Sequence, residues 1–288
     1  MAFTLTRAEA TPLQRLVQTY SVEVVTKDQK GIDAAGEFMA PRGEVFVANL
    51  PNESPDRLVA ACVQVDRRGL TAVPHIVARN IHSLAELDDT LARLAGEAGV
   101  KTALVLGGDR DQPVGPFDAS IQLIETGLFQ KHGVSRVAFA CHPEEHPRVA
   151  DAVLWPALGV KLTAAEQAGL ATFLVSQFAF DAAPILALAG RLRAAGITAP
   201  LRVGVAGPAQ RTTLIKYALM CGVGASLRAL RERSDLAMSV AAGETPEALL
   251  RELALAQDAE PSLGMDSVHF FTFGSLANSI DLAKALSA

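Results

Sequence analysis

The sequence predicts an α/β fold, a (β/α)8 barrel of the TIM-barrel type, as a single domain over residues 1–288 with extra helices before the last strand. Three observations predict it. Eight short, β-rich apolar runs alternate with helical patterns along the whole chain. Most strand-to-strand intervals are about 25–35 residues, the length of one βα unit. The 288 residues suit one such barrel, and no Pro/Gly/Ser linker or composition shift divides them. A doubly wound open sheet shares this periodicity and is the alternative.

The strands are expected at 20–25 (YSVEVV), 44–49 (EVFVAN), 71–77 (TAVPHIV), 101–107 (KTALVLG), 136–141 (RVAFAC), 171–177 (ATFLVSQ), 201–206 (LRVGVA) and 267–273 (SVHFFTF). Each is apolar on both faces, as parallel strands covered by helices must be. Ser54-Pro55 opens a helix that stops at Gly69. Ser83, with Glu86 three residues on, predicts a capping box for a helix to about Ala95. Asp181 caps a run that ends at Gly196, and a further helix is expected at 245–256.

Composition narrows the function. Half the residues are hydrophobic, a fifth are charged and 5% are aromatic, so aliphatic side chains fill the core. The net charge of −5 is dispersed, without the basic stripe that nucleic-acid binding requires. A membrane partner is not expected either. Mean hydropathy is +0.25, but the most apolar stretch contains Ser176, Gln177 and Asp181, where a spanning helix wants about 20 apolar residues. The N-terminus MAFTLTRAEA lacks the apolar segment of a secretory signal. Cys62, Cys141 and Cys221 are odd in number and far apart, which argues against disulfides or structural zinc. A cytoplasmic protein with reduced thiols is expected.

In a barrel, function lies where strands end. The polar residues there are Glu23, Asn49, His75, Asp109, His142 and Gln177, with Gly274 after the last strand. Glu23 is flanked by apolar residues, so its carboxyl is expected to be partly desolvated, which suits a general acid; pairing with an Arg or Lys across the barrel is the alternative. Leu106-Gly107-Gly108-Asp109 allows a ligand close to the backbone, or is an ordinary βα turn with an Asp cap. His142 and His146 stand four apart around Pro143, which disfavours a helical metal pair and leaves a loop of hydrogen-bond donors. Gln177 both donates and accepts, as a pterin or nucleobase edge requires. Phe178 and Phe180 either stack on such a ring or pack in the core. Neither GxGxxG, a phosphate loop nor a G-x-S-x-G elbow occurs at these positions.

Taken in order, these motifs resemble the methylenetetrahydrofolate reductase family over about residues 20–285. Glu23 in SVEVV resembles the general acid of the family's first strand, and Pro74-His75 its strand-three Pro-His. Leu106-Gly107-Gly108-Asp109 is similar to its Leu-Arg-Gly-Asp, and Ala119-Ser120 to its Ala-Ser. The run 142–147 (HPEEHP) is similar to Tyr-Pro-Glu-x-His-Pro, 177–181 (QFAFD) to Gln-Phe-Phe-Phe-Asp, and 269–272 (HFFT) to His-Phe-Tyr-Thr. The resemblance implies reduction of 5,10-methylenetetrahydrofolate to 5-methyltetrahydrofolate by NAD(P)H through bound FAD, in one-carbon metabolism and methionine biosynthesis. It implies Glu23 as acid and Asp109 as catalytic and pterin-holding. It puts Gln177 and Phe178 on folate, and His75, Leu106, Gly107, Gly108, Asp109, Ala119, Ser120, His142 and His146 on the flavin. The expected partners are folate and a nicotinamide nucleotide, with a homo-oligomeric assembly and no allosteric C-terminal extension.

Four positions depart from the pattern. The family Arg is Gly107, its Pro-Pro after the first strand is Thr26-Lys27, its Leu-Lys-x-Lys is Leu162-Thr163-Ala164-Ala165, and its last Asn-Arg is Gly274-Ser275. Losing basic groups weakens diphosphate binding by about 1.5–3 kcal/mol per charge-assisted bond; Lys161 and Arg148 are the candidate substitutes. Two alternatives follow: direct hydride transfer from NAD(P)H without flavin, or a non-catalytic folate- or flavin-binding subunit.

Overall fold

The computed structural model describes residues 10–223 and 245–288. The reading of the N-terminus rests almost wholly on residues 1–9, outside the described residues. Eight strands form a closed barrel in the order β1-β2-β3-β4-β5-β6-β7-β8. They are β1 Tyr20–Val25, β2 Glu44–Ala48, β3 Thr71–Val77, β4 Thr102–Leu106, β5 Arg136–Cys141, β6 Ala171–Ser176, β7 Leu201–Ala206 and β8 Met265–Phe271. The closed order excludes the open sheet. Among the described residues no helix is long and apolar enough to cross a membrane.

Contacts divide the chain into two units. One comprises Ser21–Cys141 and Val149–Val175. Here β1 to β5 pair in parallel, with Glu23 opposite Phe46, Phe46 opposite Val73, and His75 opposite Leu104. Because side chains alternate along a strand, these positions share one face. Phe46, Val73, Leu104, Ala138, Phe173 and Val175 pack there as a buried cluster. Glu23 and His75 are the polar members of that register.

The other unit comprises Met1–Tyr20, His142–Arg148 and Ser176–Ala288. In it β7 pairs β8 in parallel, Gly204 opposite His269. A side chain at Gly204 would strike the Ser176 carbonyl, so glycine lets the backbones approach; its N–H donates to Ser176 Oγ at 2.8 Å. Phe178, Ala206, Leu214, Ala218 and Val223 form a second buried cluster.

Three local expectations need correction. β8 begins and ends two residues earlier than 267–273, starting right after Gly264 at φ 68° and stopping before Phe273 at φ 47°. The Ser83 capping box forms by half: Ser83 Oγ accepts from Glu86 N at 3.1 Å, but the Glu86 carboxylate turns to the N–H of His82 at 3.0 Å. The helix expected at 245–256 runs Glu247–Ala259.

Candidate functional site

In the unit holding β1 to β5, Glu23 lies beside His75, with Oε2 3.4 Å from the imidazole Nε2. The Glu23 side chain keeps 23% of its surface exposed and that of His75 10%. Phe46 presents its ring edge-on to His75 at 6.2 Å. The carboxyl is therefore partly withdrawn from water and partnered by an imidazole, not by the Arg or Lys that the alternative reading supposed.

After β4 the chain turns through Gly107 and Gly108. Gly108 has φ 103°, and a Cβ there would meet Val77 Cγ1 at 2.5 Å, so glycine is required twice over. A Cβ on Gly107 would meet nothing within 4 Å. Arg79 pins the loop: its N–H donates to the Gly107 carbonyl at 3.0 Å, Nε to Asp118 O at 2.9 Å and Nη1 to Arg110 O at 2.7 Å. Arg110 donates to Asn80 and Asn52. Asp109 is exposed on this loop, whereas Leu106 is half-buried. Ala119 caps the short helix Ser120–Glu125, and Ser120 is buried. Sequence reasoning missed Arg79, whose signal was an arginine right after a strand end.

Sequence reasoning named Asn49 as a polar strand end but missed Glu53 beyond it. Thr26 follows β1, Asn49 follows β2, and Glu53 sits four residues on. The Thr26 Oγ1, Asn49 Oδ1 and Glu53 Oε1 atoms are buried without a hydrogen-bond partner.

Of the residues expected to hold FAD, those from His75 to Ser120 lie in this unit. Gly107 offers no cation, and Arg79 and Arg110 are committed to the loop. Lys161 lies on the helix Asp151–Gln167 with its ammonium 5.3 Å from the Phe139 ring centroid. Burial holds that ammonium below the usual lysine range, against the opposing influence of Cys141. Cys141 itself is pushed up to about 12 by burial.

In the other unit, Gln177 follows β6, and its Oε1 accepts from the Phe178 N–H at 3.0 Å, leaving its amide NH2 to donate. Phe178 is 1% exposed, so the structure gives it core packing, not an open stacking face. Its ring meets Phe180, Phe271 and Phe273 at 5.2–5.7 Å. His142 and His146 stack edge-to-face at 4.8 Å, and His146 Nδ1 accepts from Arg148 N at 3.1 Å, which leaves Nε2 as the donor. The segment 142–145 lines a small crevice with Gln177, Phe178 and Cys221–Val223. Among the described residues no three His, Cys, Asp or Glu gather as a metal site.

Comparisons place this geometry among known proteins. A protein from Clostridium thermocellum that binds two copies of 5-methyl-5,6,7,8-tetrahydrofolic acid is 10% identical, with TM-score 0.56 over 95% of this chain and 98% of that one. Dihydropteroate synthase from Thermus thermophilus is 17% identical, with TM-score 0.47 over 95% of each chain. The sialic acid aldolase of Ruminococcus gnavus is 11% identical, with TM-score 0.49 over 95% of this chain and 74% of that one. The first of these shows the same barrel fold. The profile described as methylenetetrahydrofolate reductase matches residues 52–226, more than half of the chain. By that match the chain belongs to the methylenetetrahydrofolate reductase family.

Proposed function

We propose that residues 1–288 act as one catalytic domain that reduces 5,10-methylenetetrahydrofolate to 5-methyltetrahydrofolate with NAD(P)H. The observation that carries this reading is Glu23, a partly buried carboxyl held 3.4 Å from His75 inside a barrel of this family. Glu23 gives its proton to the imidazolidine nitrogen N10, the bond from N10 to the methylene carbon breaks, and an iminium forms at N5. Hydride adds to that carbon, giving the methyl group and the oxidised nicotinamide. His75 orients the Glu23 carboxyl. Asp109 holds the pterin, and the Gln177 amide, which can both donate and accept, is assigned to folate. Folate binding by the Clostridium thermocellum barrel supports the substrate class.

The route of the hydride has two readings. The family pattern implies FAD between nucleotide and folate. The absent cation at Gly107 and the packing of half-buried Lys161 over Phe139 favour the other, direct transfer from C4 of the dihydronicotinamide to the iminium carbon. Purified protein is expected to be colourless, to oxidise NADH only when methylenetetrahydrofolate is present, and to follow a ternary-complex rate law. A yellow protein whose flavin band bleaches with anaerobic NADH, with ping-pong kinetics, would return the reaction to FAD. Folate-independent inertness together with no folate reduction would leave the binding-subunit reading. The assembly we propose is a cytoplasmic homo-oligomer, tested by sedimentation at micromolar concentration.

A further inference from the structure

We propose that Arg79 is a positioning residue for Asp109: it fixes the long loop after β4, and with it the Asp109 carboxylate, in the place where folate is bound. The proposal rests on the reductase reading above, in which Asp109 holds the pterin. The loop runs over 107–119, from the end of β4 to the helix Ser120–Glu125. Loops of that length without secondary structure of their own are uncommon in compact domains and are often functional. Asp109 is exposed, so burial of its own side chain does not hold it. At the far end of the loop Phe117 is buried and anchors the chain. Around Asp109 the loop is tied by the residues that follow β3.

Arg79 touches the loop along its whole length. Its N–H donates to Gly107 O at 3.0 Å, and its carbonyl accepts from Val114 N at 3.1 Å. Its guanidinium reaches Arg110 O through Nη1 at 2.7 Å and Asp118 O through Nε at 2.9 Å. The bonds to Gly107 and Arg110 fall on either side of Asp109 in the chain. Arg110 is held in turn, donating to Asn80 Oδ1 at 2.9 Å and Asn52 Oδ1 at 2.8 Å. The loops after β2, β3 and β4 are thereby knitted together within one unit. Beyond Val114, a Cβ on Gly115 would strike the carbonyls of Ile81 and His82, so the loop lies directly against the segment after Arg79. The Arg79 guanidinium donates to backbone carbonyls in each of these bonds, so it sets the shape of the loop and does not neutralise a charge. Two donors aimed at separate carbonyls suit a planar guanidinium, whereas lysine carries the same charge on one nitrogen.

The test is a double-mutant cycle between R79K and D109N, read as kcat/KM for methylenetetrahydrofolate, with calorimetric melts to show that each variant is folded. R79K is expected to lose about ten- to a hundredfold, the scale of a misplacement near 1 Å. In the D109N background the same change is expected to cost almost nothing further, because its effect passes through Asp109. NADH affinity, measured by titration, is expected to stay at the wild-type value. Additive losses, no loss in R79K, or a parallel fall in NADH affinity would each overturn the positioning role. If R79K does not fold, R110Q takes its place in the cycle with the same expectation, since it keeps Arg79 and releases Arg110 from Asn52 and Asn80. If wild-type protein reduces no folate, or D109N turns over like wild type, the reductase reading of Asp109 fails by itself. Amide exchange over 107–118 then judges the pin alone: faster exchange in R79K upholds it, and unchanged exchange overturns it.

Discussion

Glu23 shows how much rests on one side chain. A carboxyl in a strand of valines is easy to find in sequence, because nothing else in YSVEVV is charged. Its partner was harder to foresee. His75 lies two strands away, and only the β1–β2–β3 register brings the two side chains together at 3.4 Å. Removing the acid proton while keeping shape is the cleanest probe of the proposed role. Glu23→Gln is expected to lower kcat for folate reduction by about 10²–10⁴, the usual contribution of a general acid, with nucleotide affinity kept. Stopped-flow turnover and a separate NADH titration check this; equal loss of both would remove the acid assignment. Asn49 was legible as a polar strand end, whereas Glu53 was not, since a glutamate before Ser54-Pro55 looks like any loop residue until its burial is seen.

At the scale of elements, strands were read better than helices. β1, β3, β5 and β7 end where their apolar runs end. The helix Asp151–Gln167 went unread: Pro156 interrupts it, and its small apolar residues show no clear amphipathic stripe. Pro156 lies inside the helix, past its first turn, so one intrahelical hydrogen bond is forfeited there. The helix Leu84–Ala98 illustrates an ion-pair device invisible to local pattern. Its Asp88 accepts hydrogen bonds from Lys131 and His132, 43 and 44 residues along the chain. The Lys131 bond, then that of His132, holds the Asp88 carboxyl below its ordinary range. Because its folded value is the lower one, this contact stabilises the fold above the ordinary aspartate range and is lost as pH falls through the depressed value. Asp88→Asn is accordingly expected to lower the thermal midpoint slightly at pH 7 and progressively less as pH falls below the ordinary aspartate range. Calorimetric melts of both proteins across that range measure it; a constant difference would contradict the linkage.

For the whole molecule, closure of the barrel was legible because eight apolar runs at regular spacing leave few other ways to bury both faces of every strand. The cofactor was less so. A motif match reports which residues align, but not where a basic side chain spends its charge. Lys161 aligns next to the family's basic run and yet packs over Phe139. Arg79 and Arg110 are in the right loop and yet are consumed in holding it.

The open space beside Gly107 makes this arrangement reversible. Gly108 is locked by its left-handed backbone and by Val77, but its neighbour is not. A Cβ at that position meets nothing within 4 Å, so a side chain can start there without a clash. Gly107→Arg is expected to change folding stability by no more than about 0.5 kcal/mol, read by calorimetric melts, and to raise FAD uptake, read by flavin fluorescence quenching. On that view dependence on a bound flavin is a trait this barrel can lose or regain through single side chains, while its scaffold and its acid stay as they are.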